Sequence, residues 1–248
     1  MAAKTEVGVS APSEAEIGRY LRPAGLKFSG FLALMGWVLV AVATALHPRE
    51  AAFGSGTQAL RDITGNPRWI PIHLLLALGF TLLVPAFSHF ESRLAYPGTP
   101  ARTHALSRLG AQLFRASLPL WLMVASWEIA ILTAMASAPG TVIDVSPLWV
   151  ALVRGLRNFS LLLGYVAAFL MWGTLVSWGV AGRITGSLSR PFSIWAVVGG
   201  ILGWVGLPVG ALVSARWGIW ALAATSVVGA IWIPVAAWSM FVGESEPS

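Results

Sequence analysis

Long apolar runs alternate with short polar stretches along the whole chain. A helix that crosses a bilayer needs about 20 mostly apolar residues. Six runs approach or exceed that length: Phe28 to Leu46, Trp69 to Phe87, Leu113 to Met135, Trp149 to Val180, Ser193 to Val213 and Ile219 to Val242. The fourth is longer than one crossing requires, and its membrane part is expected to start near Leu156. The pattern predicts an all-α, polytopic integral membrane protein, a bundle of six transmembrane helices. Residues 1–26 form a polar N-terminal segment, 27–243 the membrane domain, and 244–248 a short acidic tail. Within the first segment, Ser13 to Leu21 reads either as a short amphipathic surface helix or as a frayed tail. No short apolar stretch with a small-residue cleavage site follows a basic start, so Phe28 to Leu46 is expected to remain as an anchor.

Basic residues set the orientation, because Lys and Arg are enriched in cytoplasmic loops. Lys4, Arg19, Arg22, Lys27, Arg93, Arg102, Arg108, Arg115, Arg183 and Arg190 fall on one side of the alternating runs. Arg49, Arg61, Arg68, Arg154, Arg157 and Arg216 fall on the other. Ten against six places both termini in the cytoplasm.

Composition agrees with the runs. Of 248 residues, 56% are hydrophobic and 10% are charged, against about 25% charged in an average soluble domain. Mean hydropathy is +0.75. These values exclude a disordered chain and an ordinary soluble enzyme. The net charge of +6 follows from the loop bias and implies no nucleic-acid partner. The absence of cysteine excludes disulfides, thiolate metal sites, thioether-linked haem and thiol catalysis. Among the Trp residues, Trp37, Trp69, Trp149, Trp178, Trp195, Trp217 and Trp220 lie near run ends and read as an interfacial belt. Trp121, Trp127, Trp172, Trp204, Trp232 and Trp238 lie deeper and read as packing residues. Gly199, Gly203, Gly206 and Gly210 share one face of the fifth run, where small residues allow close helix approach. They serve either a neighbouring helix of this chain or a membrane-protein partner.

Ionisable groups inside a membrane are expensive and are commonly functional. Of ten acidic residues, only Glu128 lies in the middle of a run. It is about 12 Å from the outer end of the third run at 1.5 Å per residue, and Arg157 is about 12 Å along the fourth. The short connection Ser137 to Pro147 favours antiparallel neighbours, so Glu128 and Arg157 are expected to pair. Arg154, Arg157, Asn158, Leu161 and Tyr165 recur at helical spacing and give the fourth run one polar stripe. His47 closes the first run, and His73 lies about 6 Å into the second. His89 and His104 fall on the cytoplasmic side and need only solvation.

Three readings follow for this outer-leaflet group. His73, Glu128, Arg154, Arg157, Asn158 and Tyr165 can line a pocket for an amphipathic ligand, a lipid headgroup or a quinone. His47 and His73 can ligate a metal or haem in a redox protein. The Glu128–Arg157 pair can instead be architectural, fixing helix register while nothing binds. An accessory subunit of a membrane complex and a small-molecule transporter or permease subunit remain open as whole-protein roles. The chain has no phosphate-binding glycine loop, no G-x-S-x-G elbow, no HExxH motif and no Lys within a span. It resembles ABC-type permeases in span count only. His47-Pro48 followed by Trp69 and His73 resembles a pattern in bacterial membrane proteins and implies no particular activity. The expected location is a bacterial inner (plasma) membrane.

Overall fold

The computed structural model describes residues 23–47, 66–96, 98–134 and 147–242. The surface helix read at Ser13 to Leu21, the acidic tail at 244–248 and most of the Ser137 to Pro147 connection lie outside the described residues. Six long helices account for nearly all of the rest: α1 (Pro23–Leu46), α2 (Trp69–Leu94), α3 (Ala101–Trp127), α4 (Pro147–Thr185), α5 (Arg190–Val213) and α6 (Ala215–Val242). A single π-turn, Glu128–Leu132, continues α3. There are no strands among the described residues.

Each helix packs on its neighbours in sequence, and α6 returns to α1, so the six form a closed ring. The turns between helices are made by residues with the right backbone freedom. Gly98 and Gly186 adopt positive φ in the α2–α3 and α4–α5 turns, a region that glycine enters without a Cβ clash. Ser214 alone separates α5 from α6, in an extended conformation.

By length and apolarity, α1, α2, α4, α5 and α6 can each cross a membrane. The molecule is a helical membrane bundle. The third apolar run differs, because it is split. The helix α3 starts in the basic stretch that holds Arg102, Arg108 and Arg115, and its apolar second half passes into the π-turn at Glu128. Its α-helical part alone does not meet the length and apolarity of a crossing.

The centre of the bundle is aromatic. Phe87 and Phe90 of α2, Phe114 of α3, Trp178 of α4 and Trp232 of α6 form one contiguous cluster, with centroid separations such as 5.1 Å for Phe90–Trp178 and 5.6 Å for Phe90–Trp232. Phe192 of α5 stacks on Trp232 at 5.1 Å. This corrects one assignment made from run ends. Trp178, placed in the interfacial belt, is 1% exposed and donates its indole N–H to the Ser107 carbonyl. The reason is length. At 39 residues α4 spans about 58 Å, roughly twice a bilayer core, so a run end and a membrane interface need not coincide. Trp238, read as a deeper packing residue, is 58% exposed on the outer surface of the bundle, where packing against lipid is the reading that fits.

The glycine face of α5 is filled by this chain. A Cβ at Gly199 would meet Val228, and one at Gly210 would meet Ala221 and Trp217, all on α6. Gly203 lies under the Trp172 indole of α4. Of the two uses open to this stripe, the structure shows the contact with neighbouring helices of this chain, α4 on one flank and α6 on the other. The outward residues of the bundle, among them Leu202, Val205, Val209 and Leu212, are exposed and apolar, as a lipid-facing surface requires.

Candidate functional site

The polar group forms at the end of the bundle where α1 finishes and α2 begins. Close helix approach starts it. Gly36 and Gly79 cross so tightly that a Cβ on either would lie 2.8 Å from the other's carbonyl oxygen. Three turns on from Gly36 comes His47. Its ring centroid is 5.5 Å from Trp69 and 5.1 Å from His73. At the start of α2, the Asn66 side chain accepts from the Arg68 N–H at 2.9 Å, and its carbonyl accepts from the Trp69 N–H at 3.0 Å. This turn fixes Trp69 as the first helical residue, with its ring 4.4 Å from that of His73.

Aromatic stacking then sets the α2–α3 register. Phe80 stacks on Trp121 at 5.2 Å, and Phe87 meets Phe114 at 5.2 Å. Two turns back from Phe80 is His73, and two turns on from Trp121 is Glu128. Antiparallel packing thus brings these two residues level. Glu128 Oε2 is 3.7 Å from His73 Nε2. Its other carboxyl oxygen, Oε1, accepts from the Ser160 hydroxyl of α4 at 3.1 Å. Arg157, half-buried one turn before Ser160, interacts electrostatically with the same carboxylate.

The π-turn has a visible role here. A π-turn inserts one residue into the helix ladder and recurs at functional sites. The backbone carbonyl of Glu128 accepts from the Trp69 indole N–H at 3.1 Å and from the Thr133 hydroxyl at 3.4 Å. Trp69, read from the sequence as a belt residue, is 3% exposed and ties α2 to this turn. Glu128 therefore lies about one turn, ~6 Å, inside the end of the α1–α2 pair. The ~12 Å depth inferred from run ends is measured along α3 and α4, which extend past that pair.

His73 is 2% exposed, and its Nδ1 lies 2.8 Å from the Trp69 carbonyl oxygen. A carbonyl only accepts, so Nδ1 carries the hydrogen and Nε2 faces Glu128. Beside this pair, Trp127 packs on Phe159 at 5.6 Å. Its indole N–H is buried and has no acceptor among the described residues. It is the residue adjacent to Glu128.

The structure thus gathers His47, His73, Glu128 and Arg157, and adds Trp69, Ser160 and Trp127, which sequence reasoning had not placed there. The polar stripe of α4 is divided. Arg154 and Asn158 are exposed near the helix start. Tyr165 turns to α6, its hydroxyl over Gly218. At the opposite end of the molecule, His89 lies 3.0 Å from the Ser29 hydroxyl and His104 lies 2.9 Å from the Thr99 hydroxyl.

The donor set also bears on metals. Two imidazoles on opposite faces of one haem iron, with metal–nitrogen bonds of about 2 Å, hold their ring centroids about 6 Å apart with a porphyrin between them. His47 and His73 meet edge to face at 5.1 Å, which leaves no space for that macrocycle. Among the described residues, no three His, Asp or Glu side chains gather as a metal shell.

No protein-family model, curated protein or solved structure matches the chain. The bundle of apolar helices itself carries the conclusion that this is an integral membrane protein.

Proposed function

We propose that this protein binds the polar head of an amphipathic molecule, a lipid or a quinone, at the Glu128 cluster. In this reading all six helices cross the membrane, both termini are cytoplasmic, and the cluster faces the outer leaflet. The observation that carries it is the Glu128 carboxylate itself. A charge placed on an apolar helix is costly, yet residues from α2 and α4 converge on it, and the buried N–H of the adjacent Trp127 has no acceptor among the described residues. A purely architectural pair needs neither the second histidine nor an open donor. A ligand oxygen would satisfy the indole N–H, and Arg157 with exposed Arg154 and Asn158 would receive a headgroup. Tyr165, set against α6, would line the deeper apolar wall with Trp121.

The test is mass spectrometry of organic extracts from the purified protein, wild type against Glu128→Gln and Arg157→Gln. One lipid class or quinone is expected at near-equal molar amount in the wild type and reduced at least severalfold in both variants. Identical extracts from all three would overturn the proposal.

A further inference from the structure

The contact between His73 and Glu128 poses an electrostatic question. With Nδ1–H committed to the Trp69 carbonyl, a neutral His73 points a lone pair at Glu128 Oε2. The two atoms are 3.7 Å apart, about 0.9 Å longer than a charge-assisted hydrogen bond between nitrogen and a carboxylate. Without a proton between them they repel. With one proton, either atom can hold it and the other can accept.

Among the described residues, few charges surround the pair. From α1 comes His47, and from α2 Trp69, with the exposed Arg68 just before it. From α3 come Glu128 and Thr133, and from α4 Arg157, Ser160 and, one turn further out, exposed Arg154. Among the described residues α5 offers only Arg190, at the opposite end, and the sequence of α6 holds a single charged residue, Arg216, in its first turn. Among the described side chains, Arg157 is the cation that interacts with the Glu128 carboxylate.

We propose that binding of an anionic headgroup at Arg157 is coupled to uptake of one proton by the His73–Glu128 pair. This rests on the headgroup reading above and names its chemistry. An anion on Arg157 competes with Glu128 for the same positive charge. The carboxylate then faces a lone pair on one side and the headgroup on the other, in surroundings where repulsion is poorly screened. One proton taken up from the bulk solution, where the buffer acid replaces it, removes the conflict. It forms an N–H bond at Nε2 or an O–H bond at Oε2, and no bond to the ligand is made or broken. A neutral quinone head would leave Arg157 on Glu128 and take up no proton.

Calorimetric titration tests this with the full-length protein in a neutral detergent near pH 7. The probe is lysophosphatidylglycerol, whose phosphodiester does not titrate there, and monoolein serves as the uncharged control. Each is titrated in two buffers of different ionisation enthalpy. For lysophosphatidylglycerol, the heats are expected to differ by the ionisation of about one proton per ligand bound. His73→Gln and Glu128→Gln should bring that number near zero, His89→Gln should leave it unchanged, and Arg157→Gln should weaken binding about tenfold or more. Binding with the same heat in both buffers would overturn the coupling and leave the headgroup reading standing. Absence of lysophosphatidylglycerol binding would overturn the anionic headgroup itself. The wild-type comparison decides between these even if a variant fails to fold.

Discussion

At the residue scale, Glu128 is held by groups that have no sequence proximity to it. His73 is on α2, Ser160 on α4, and the Trp69 indole reaches its backbone carbonyl. Residues in one such network do not act additively, and coupling energies of about 0.5–3 kcal/mol are usual. We therefore expect a double-mutant cycle of His73→Gln and Glu128→Gln to show at least about 0.5 kcal/mol of coupling in thermal unfolding of the detergent-solubilised protein. Simple additivity would mean the 3.7 Å contact carries no energy. Glu128 was visible in the sequence as the one acidic residue within an apolar run. Its histidine partner was not, because run ends give depth only to within a turn or two, and the Phe80–Trp121 stack fixes the α2–α3 register.

At the element scale, backbone contact between α1 and α2 positions the histidines. A valine at Gly79 would place its Cβ 2.8 Å from the Gly36 carbonyl and the same distance from Val40. The helices must separate, which costs about 1–3 kcal/mol for an overpacked contact. Gly79→Val should therefore lower the unfolding midpoint and also release whatever co-purifies with the wild type, since His47 is carried on the displaced helix. Gly25→Ala, with nothing within 4 Å of the new methyl, should be neutral on both measures. A Gly79→Val protein that keeps both properties would show that the crossing does not hold the site. The other glycines were legible as a close-approach stripe on α5. Which neighbour they meet was not, because a stripe has two flanks and the ring places α4 against one and α6 against the other. Trp178 shows a further limit. Near the end of an apolar run it resembled a belt residue, but the ring closes around it, and Trp178→Ala should destabilise by about 3 kcal/mol or more, as measured by unfolding in detergent.

At the scale of the whole molecule, the open matter is how many helices cross and in which direction. The chain has no cysteine, so single replacements report position without background. On intact cells, Asn66→Cys and Ala134→Cys are expected to react with a membrane-impermeant maleimide, and Arg102→Cys only after permeabilisation. All three sites have solvent-accessible surface in the structure. The opposite pattern would invert the topology and place the cluster in the cytoplasmic leaflet. Labelling of Ala134→Cys from the same side as Arg102→Cys would show that α3 and its π-turn do not cross, leaving five spans.

The sequence by itself determined the class and the periodic skeleton. Long apolar runs can satisfy their backbone groups in lipid only as helices or a closed barrel, and runs of about 20 residues fit helices. It also determined that His47 and His73 share a layer, because one closes the first run and the other opens the second. Only the tertiary structure decided that Glu128 meets His73, that Ser160 and Trp69 join it, and that Tyr165 turns to α6. Hydrophobic period fixes which face of a helix is apolar, but register and neighbour choice come from side chains and backbones interlocking across helices. The Gly36–Gly79 crossing, the Phe80–Trp121 stack and the π-turn at Glu128 are contacts of that kind, and they have no signature within a single run.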